Sequence, residues 1–332
     1  MLRIKLEKKP LVTIGVPTFN RATYLNKTLS LFTKQTYKNI EIIVSDNCST
    51  DETKNVCQAW KTKDKRIRYY RQKKAISAIA NFNFTLQKAK GEFFMVASDD
   101  DIWDKNYIAQ LMQAFLKERK EVLVVSSKFN ILDRFDKQIL GKRWSFAAFK
   151  NKYVTLKDYL LENFNGFKTG IFYGIYRTES FRNLGGYLEL PALSAPDFVT
   201  MHKILLNGEL RLVNKVLFHK REQIVFYDQS KSAARLKRTF SETFKLGLGR
   251  LLTNLLPSNL VYLWRNVWVY IGANFCLLSQ SKYRFNVELH FLNFLSGWQL
   301  FVSLFPNDIQ ALKKRNRVFT DLKILKRYGL EK

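Results

Sequence analysis

"EFFMVASDDDIWDKNYIAQLMQAFLKE" occupies residues 92–118. It begins as an apolar run of strand-forming residues, stops at Asp99, Asp100 and Asp101, and resumes as a helix over 104–118. A helix start needs one aspartate, and Asp101 or Asp104 could supply it. Three adjacent carboxylates repel one another unless a cation or a hydroxyl-rich ligand compensates. Hard oxygen donors at a strand end suit Mg²⁺ or Mn²⁺.

The same strand–turn–helix unit recurs upstream. "LVTIGVPTF" (11–19) reads as a strand and "YLNKTLSLFTKQT" (24–36) as a helix with Leu25, Leu29 and Phe32 on one face. "IEIIVSD" (40–46) is a second strand. "STDETKNVCQAWK" opens a helix, with Ser49 or Thr50 as its cap and Glu52 nearby. "RIRYYR" (66–71) is a strand, 76–91 a helix stopped at Gly91, and "EVLVVSS" (121–127) a further strand. Strands and helices alternating at this spacing predict an α/β fold with a mostly parallel sheet. Ligands of such sheets bind beyond the carboxyl ends of the strands. Here those ends are "PTFNR", "SDNCSTD" and "SDDD", which converge on one edge.

The chemistry of these ends is specific. Asp46 can accept the imide N–H of a uracil or thymine ring, or it can serve, with Asp51, only as a turn and cap residue. A divalent ion at Asp99–Asp101 could bridge a diphosphate and neutralise a leaving group.

Further along, "IFYGIYR" (171–177) predicts a strand, 197–209 a helix, and "LRLVNKVLFHKR" (210–221) a strand pair or one long strand. From about Ser230 the chain turns helical, basic and aromatic. The expected division is 1–228 as an α/β domain and 229–332 as a helical C-terminal region. With 332 residues and 46% hydrophobic content, the chain can bury a large core. The net charge of +28 calls for an anionic partner or a solvated Lys-rich surface. Cys48, Cys57 and Cys276 show no metal-type spacing and no disulfide framework. The N-terminal stretch does not read as a secretory signal, so a cytoplasmic location is expected. Residues 261–279 and 291–306 are the most apolar segments. Arg265 and Asn266 interrupt the first, and the second is short. Their aromatic residues and basic flanks suit the surface of an anionic membrane, or an ordinary helical subdomain.

"TIGVPTFNRATYLNKTLSLFTKQTYKNIEIIVSDNCSTDET" followed by "LQKAKGEFFMVASDDDIWDKNYI" resembles glycosyltransferase family 2 over about residues 10–225. Ser98 stands where an aspartate is commoner in that family. This variant resembles the O-antigen and capsule-type branch. The resemblance implies a GT-A fold, to which the residue pattern adds the C-terminal helical extension. It implies inverting, metal-dependent transfer from a UDP- or dTDP-sugar to a hydroxyl of a glycan, such as a lipid-linked cell-surface polysaccharide intermediate. Carried over by position, Pro17, Thr18 and Arg21 line the nucleotide pocket and Asp46 reads the base. Asp99 contacts ribose, Asp100 holds Mg²⁺ or Mn²⁺ with Asp101 as the alternative ligand, and Asn83 lies beneath the donor. Inversion needs one carboxylate to take the acceptor proton. Asp197, opening the helix in "LSAPDFVTMHKILLNG", fits that place, and a helix N-terminus stabilises its ionised form. His219 could reach the diphosphate or the metal, and Lys220, Arg221, Lys231 and Arg235 could steady the diphosphate. The competing classes are a nucleic-acid-binding protein, suggested by charge alone, and a nucleotidyltransferase on a related sheet, which would have no need of Asp197.

Overall fold

The structure is a computed structural model. It describes residues 9–133, 136–138, 155–156, 159–160, 170–189, 196–221, 271, 274–282 and 284–294. The elements run β1 (Val12–Thr18), α1 (Ala22–Thr33), β2 (Ile40–Asp46), α2 (Thr53–Lys63), β3 (Ile67–Arg71), α3 (Ala78–Lys88) and β4 (Phe93–Val96). There follow β5 (Ile102–Trp103), α4 (Tyr107–Phe115), β6 (Val122–Leu132) and a 3₁₀ turn (Ile171–Tyr173). The series closes with β7 (Ile175–Arg177), α5 (Thr178–Asn183), α6 (Pro196–Asn207) and β8 (Glu209–Arg221).

One eight-stranded sheet has the order β3-β2-β1-β4-β7-β6-β8-β5. The first four strands are parallel, as the alternating pattern predicts. Beyond β4 the sheet is mixed: β7 runs antiparallel to β4 and β6, β6 and β8 are parallel, and β5 is antiparallel to β8. All seven residues of β1 and of β2 are buried, because helices cover both faces. In β4 the side chains alternate. Phe93 and Met95 join the core with α1 and α4, and Phe94 and Val96 join the core with α3, α5 and α6. Gly15 leaves room for α3: a Cβ there would lie 2.3 Å from Thr85 Oγ1.

Three elements depart from the sequence expectation. Residues 171–177 split into a 3₁₀ turn and a three-residue strand. The 210–221 segment is one long strand, the alternative of a strand pair being excluded. The unpredicted strand β5 pairs Ile102 with His219 and Trp103 with Phe218. Trp103 is buried and stacks on Phe218 with centroids 4.9 Å apart, and Phe218 stacks in turn on Phe129 at 4.9 Å. This aromatic column fixes the residue that follows the aspartate turn by two positions.

Of the C-terminal region, 274–279 and 287–294 are helical. Leu278, Leu289 and Leu292 are buried in the same core as α3 and α6. Phe275, Phe285, Val287, Phe291 and Phe294 are exposed, five of the nine exposed large hydrophobic residues among those described. Among the described residues no helix is long and apolar enough to cross a membrane. Lys231, Arg235 and most of 261–306 lie outside the described residues.

Candidate active site

The turns after β1 and β2 are tied together by polar side chains. The Ser49 hydroxyl accepts from Asn20 N–H at 2.9 Å, and Asn20 Oδ1 accepts from Thr50 N–H at 2.7 Å. Asn47 N–H donates to the Thr18 carbonyl at 2.9 Å. Asn20 (φ 53°) and Cys48 (φ 66°) adopt left-handed backbone, which turns both strands sharply at this edge. Asp51, rather than Ser49 or Thr50, serves the start of α2: its carboxylate accepts from Thr53 N–H at 3.0 Å and from Ala22 N–H at 3.1 Å. Pro17 lies beyond the last β1–β4 pair, Gly15 with Val96, so its missing N–H is not needed for pairing with β4.

Asp46 is fully buried at the end of β2. Its carboxylate accepts from Ser49 N–H at 2.8 Å, Tyr69 hydroxyl at 2.9 Å and Arg71 Nη1 at 3.2 Å. A carboxylate has about four acceptor positions, so one remains for a ligand donor. Tyr69 and Arg71 come from β3. The sequence shows them only as residues of a short strand, and register with β2 brings them to Asp46.

Asp99, Asp100 and Asp101 are 6%, 7% and 4% exposed. Asp104 does the turn work: its carboxylate accepts from Asn106 N–H at 2.6 Å ahead of α4. The trio is thereby left for other chemistry. Thr18 hydroxyl donates to Asp99 Oδ2 at 2.6 Å. Arg21 Nη1 lies 2.6 Å from Asp100 Oδ2 and 3.5 Å from Asp99 Oδ1. Ser98 Oγ donates to Asp100 Oδ1. Arg221 N–H donates to Asp101 Oδ1 at 2.8 Å, and the Arg221 guanidinium bonds the Asp100 carbonyl and Asp136. Asp101 Oδ2 is buried with no hydrogen-bond partner. Asp100 and Asp101, with Tyr24, Trp60 and Arg221, border a cavity of about 580 Å³ on the α1 side of the turn.

Burial, the largest cause, pushes both Asp99 and Asp101 up to about 7. The Asp100 charge adds to the rise in both. Thr18 and Arg21 oppose it at Asp99, and Lys220 and Arg221 oppose it at Asp101. These folded values exceed the ordinary carboxylate value of 3.8. The folded protein therefore holds these protons more tightly than the unfolded chain. The resulting stability is complete below about pH 4 and is lost as pH rises toward about 7. A divalent ion bound by these carboxylates would reverse the slope by favouring the ionised forms. Mn²⁺ should raise the melting temperature several degrees more at about pH 8 than at about pH 5.5, read by scanning fluorimetry. Equal effects at both pH values would remove these aspartates from any metal site.

Asp197 lies in the first turn of α6, half-exposed, with Pro196 inside the helix as its first residue. Its charge acts on the buried hydroxyls of Tyr173 and Tyr176. Tyr173 also feels Asp101 and Asp100 and bonds the Ser98 side chain; burial is the largest cause holding its proton well above the usual range. The Tyr173 phenol thus lies within electrostatic reach of both the aspartate turn and the start of α6, a relation with no signal in the sequence.

Two expected residues have other surroundings. Asn83 donates to the Tyr187 carbonyl at 2.7 Å and accepts from Tyr187 N–H at 2.9 Å. Its amide holds the turn at Gly185 and Gly186, both at positive φ. His219 does not join Asp100 and Asp101: among the described residues no three His, Cys, Asp or Glu side chains come together to hold a metal ion. Burial, the largest cause, lowers the His219 value, and the carboxylate acting against this is Asp104. The pairing with Ile102 places His219 beyond the aspartate turn.

A parallel half-sheet of order β3-β2-β1-β4, with a buried carboxylate at the end of β2 and clustered aspartates after β4, defines a nucleotide-diphospho-sugar fold of the GT-A type. The chain belongs to glycosyl transferase family 2, whose model matches residues 13–184. It is 31% identical over 190 residues to the GalNAc(5)-diNAcBac-PP-undecaprenol beta-1,3-glucosyltransferase of Campylobacter jejuni, which covers 52% of this chain and 62% of that protein. It is 34% identical over 120 residues to glycosyltransferase GlyG of Streptococcus pneumoniae, covering 36% of this chain and 40% of that one. The matched region therefore spans 40% to 62% of these relatives. Among solved structures, S. aureus TarS residues 1–349 in complex with UDP-GlcNAc superposes with a TM-score of 0.54 at 17% identity, over 90% of this chain and 92% of that one. At that identity the likeness is one of fold.

Proposed function

We propose that this chain is an inverting sugar transferase that moves a hexose from a UDP- or dTDP-linked donor to a hydroxyl of a lipid-linked cell-surface glycan. The observation that carries the reading is the trio Asp99–Asp101, buried at the strand edge beside Thr18 and Arg21 with Asp101 Oδ2 unpartnered. An uncompensated carboxylate oxygen in that position is costly unless a ligand completes it. Hard oxygen donors few in number fit Mg²⁺ or Mn²⁺, which take one or two carboxylates plus substrate phosphates. Asp100 and Asp101 would hold the ion, which when bound neutralises charge developing on the leaving diphosphate. Thr18 and Asp99 face the ribose, and Asp46, oriented by Tyr69 and Arg71, reads the base. Asp197 accepts the acceptor hydroxyl proton as the new bond forms at the anomeric carbon, while the bond to the diphosphate oxygen breaks and the nucleoside diphosphate leaves. The reading agrees with the name of the C. jejuni relative, which acts on an undecaprenol-linked glycan.

Screening UDP-, dTDP- and GDP-sugars by thermal shift with Mn²⁺ tests the donor assignment. A UDP- or dTDP-sugar should raise the melting temperature by several degrees, as binding at about 100 times Kd adds about 2.7 kcal/mol. Stabilisation by nucleoside triphosphates with pyrophosphate release, and none by nucleotide sugars, would favour a nucleotidyltransferase instead.

In the same proposal, 1–228 is the catalytic domain, and 229–332 rests on the inner face of the cell membrane. The exposed face of Phe275, Phe285, Val287, Phe291 and Phe294 beside Arg284 supports this, since apolar and basic groups together suit anionic lipid. Flotation with phosphatidylglycerol vesicles should carry the protein upward, and less so in about 0.5 M salt. A protein that remains at the bottom at low salt would defeat the membrane assignment.

A further inference from the structure

We infer that Arg221 is a positioning residue of the active site. It holds the main chain of the aspartate turn so that Asp101 meets an incoming ion with Oδ2. The inference rests on the proposed metal-and-donor reading and deepens it by naming the group that aims one of the ligands.

Arg221 ends β8, paired with Leu132 of β6. Just before it, His219 pairs with Ile102 of β5, and Phe218 stacks on both Trp103 and Phe129. Strand pairing and aromatic packing thus set the main chain that carries Arg221. From there it binds several neighbours at once. Its N–H donates to Asp101 Oδ1 at 2.8 Å, and Nη1 donates to the Asp100 carbonyl. Nε donates to Asp136 Oδ1 at 2.7 Å, and Nη2 bonds the same oxygen. The guanidinium also lies over the Tyr24 ring of α1, with Cζ 5.2 Å from its centroid. A basic residue beside the aspartate turn suggests a diphosphate partner from sequence, but the fold gives it another task. The Arg221 side chain is 7% exposed, and protein acceptors engage its Nε, Nη1 and Nη2. Burying a guanidinium is costly unless it is paired and hydrogen-bonded, and Asp136 meets that need. An apolar side chain would close the end of β8 without that cost, but it would give the Asp100 carbonyl no donor.

The consequence falls on Asp101. The bond from Nη1 to the Asp100 carbonyl holds the peptide that links Asp100 to Asp101. The bond from the Arg221 N–H holds Asp101 Oδ1, while Asp101 Oδ2 is buried with no hydrogen-bond partner. One oxygen held and one open is the arrangement of a carboxylate that ligates a metal through a single oxygen, its other oxygen being fixed by a hydrogen bond. Arg221 and Asp136 border the same cavity as Asp100 and Asp101, so the brace belongs to the wall of the site rather than to a distant core. Lysine cannot replace it, because a point charge lacks the rigid fork that reaches Asp136 and the Asp100 carbonyl together.

Titration calorimetry of Mn²⁺ with saturating UDP tests this on wild type, Arg221→Lys, Asp136→Ala and the double variant. Arg221→Lys should weaken Mn²⁺ binding about 10- to 100-fold, the usual effect of losing a group that orients a ligand. Asp136→Ala, which removes the partner of the guanidinium, should weaken it in the same direction by about fivefold. The double variant should be no weaker than Arg221→Lys, because both changes act through one side chain. A metal-free measurement accompanies these. Deuterium exchange of peptides covering 97–104 should be faster in Arg221→Lys than in wild type, while peptides from β1 and β2 exchange at the wild-type rate. A residue that only secured the end of β8 would lower the melting temperature and leave the Mn²⁺ affinity of the folded protein unchanged. Folded Arg221→Lys that binds Mn²⁺ as tightly as wild type, or whose aspartate turn exchanges at the wild-type rate, overturns the inference and leaves the metal reading standing. If Arg221→Lys does not fold, Asp136→Ala decides: weakened Mn²⁺ binding supports the brace, and wild-type affinity overturns it. A wild type that binds no Mn²⁺ with or without UDP ends the metal reading and the inference with it.

Discussion

Asp197→Asn should lower turnover by about 10³-fold while nucleotide affinity stays within about threefold of wild type. Asparagine keeps the size of the side chain and its ability to bond at the start of α6, but it cannot take a proton. A single-displacement reaction has no other step at which that proton could be removed. The position is suited to the task. The N-terminal end of α6 favours the ionised carboxylate, and the charge of Asp197 reaches Tyr173, the same phenol that feels Asp100 and Asp101. The measurement is nucleoside diphosphate release in the presence of acceptor, beside UDP binding by calorimetry. A collapse of donor affinity, or turnover within tenfold of wild type, would show that Asp197 is not the base.

Asp100→Ala should cost a similar factor, about 10³ in turnover or about 4 kcal/mol of transition-state stabilisation, and should abolish the response to Mn²⁺. The fold should survive. Ser98 and Arg21, which bond the Asp100 carboxylate, can turn to water at the strand edge. Removal of its charge also relieves Asp99 and Asp101, both of which it pushes up. The melting temperature of the metal-free variant should therefore equal or exceed that of wild type. Wild-type turnover that persists in excess EDTA would overturn the metal assignment, and a variant that melts several degrees lower would show that Asp100 is needed for folding instead.

The parallel half of the fold was legible because its signals are local. Strands buried on both faces appear as unbroken apolar runs, as in "LVTIGV" and "IEIIV", and the helices between them carry their own period. The polar ends of those strands had to meet, since parallel strands all finish at the same edge. Asp46 and Asp99–Asp101 could be picked out there before any coordinate was known. So could the surplus of carboxylates over what a turn requires, the structure giving the turn work to Asp104, one of the two candidates, and the α2 start to Asp51 rather than Ser49 or Thr50.

The rest depended on tertiary pairing, for which the chain carries no period. A two-residue strand such as β5 has no pattern, yet its pairing with β8, 115 positions away at Trp103 and Phe218, is what brings Arg221 onto the aspartate turn. Tyr69 and Arg71 reach Asp46 through β2–β3 register, and Tyr173, on a 3₁₀ turn that looks like strand in sequence, feels both Asp100 and Asp197. His219 and Asn83 had suitable chemistry, but register and packing gave them Asp104 and Tyr187 as neighbours. Side-chain type and the alternation of strand and helix follow from residues near in sequence. Which carboxylate oxygen is satisfied and which is left open follows from residues far apart, and that distribution, with Asp101 Oδ2 unpartnered and Arg21 on Asp100, only the assembled fold decides.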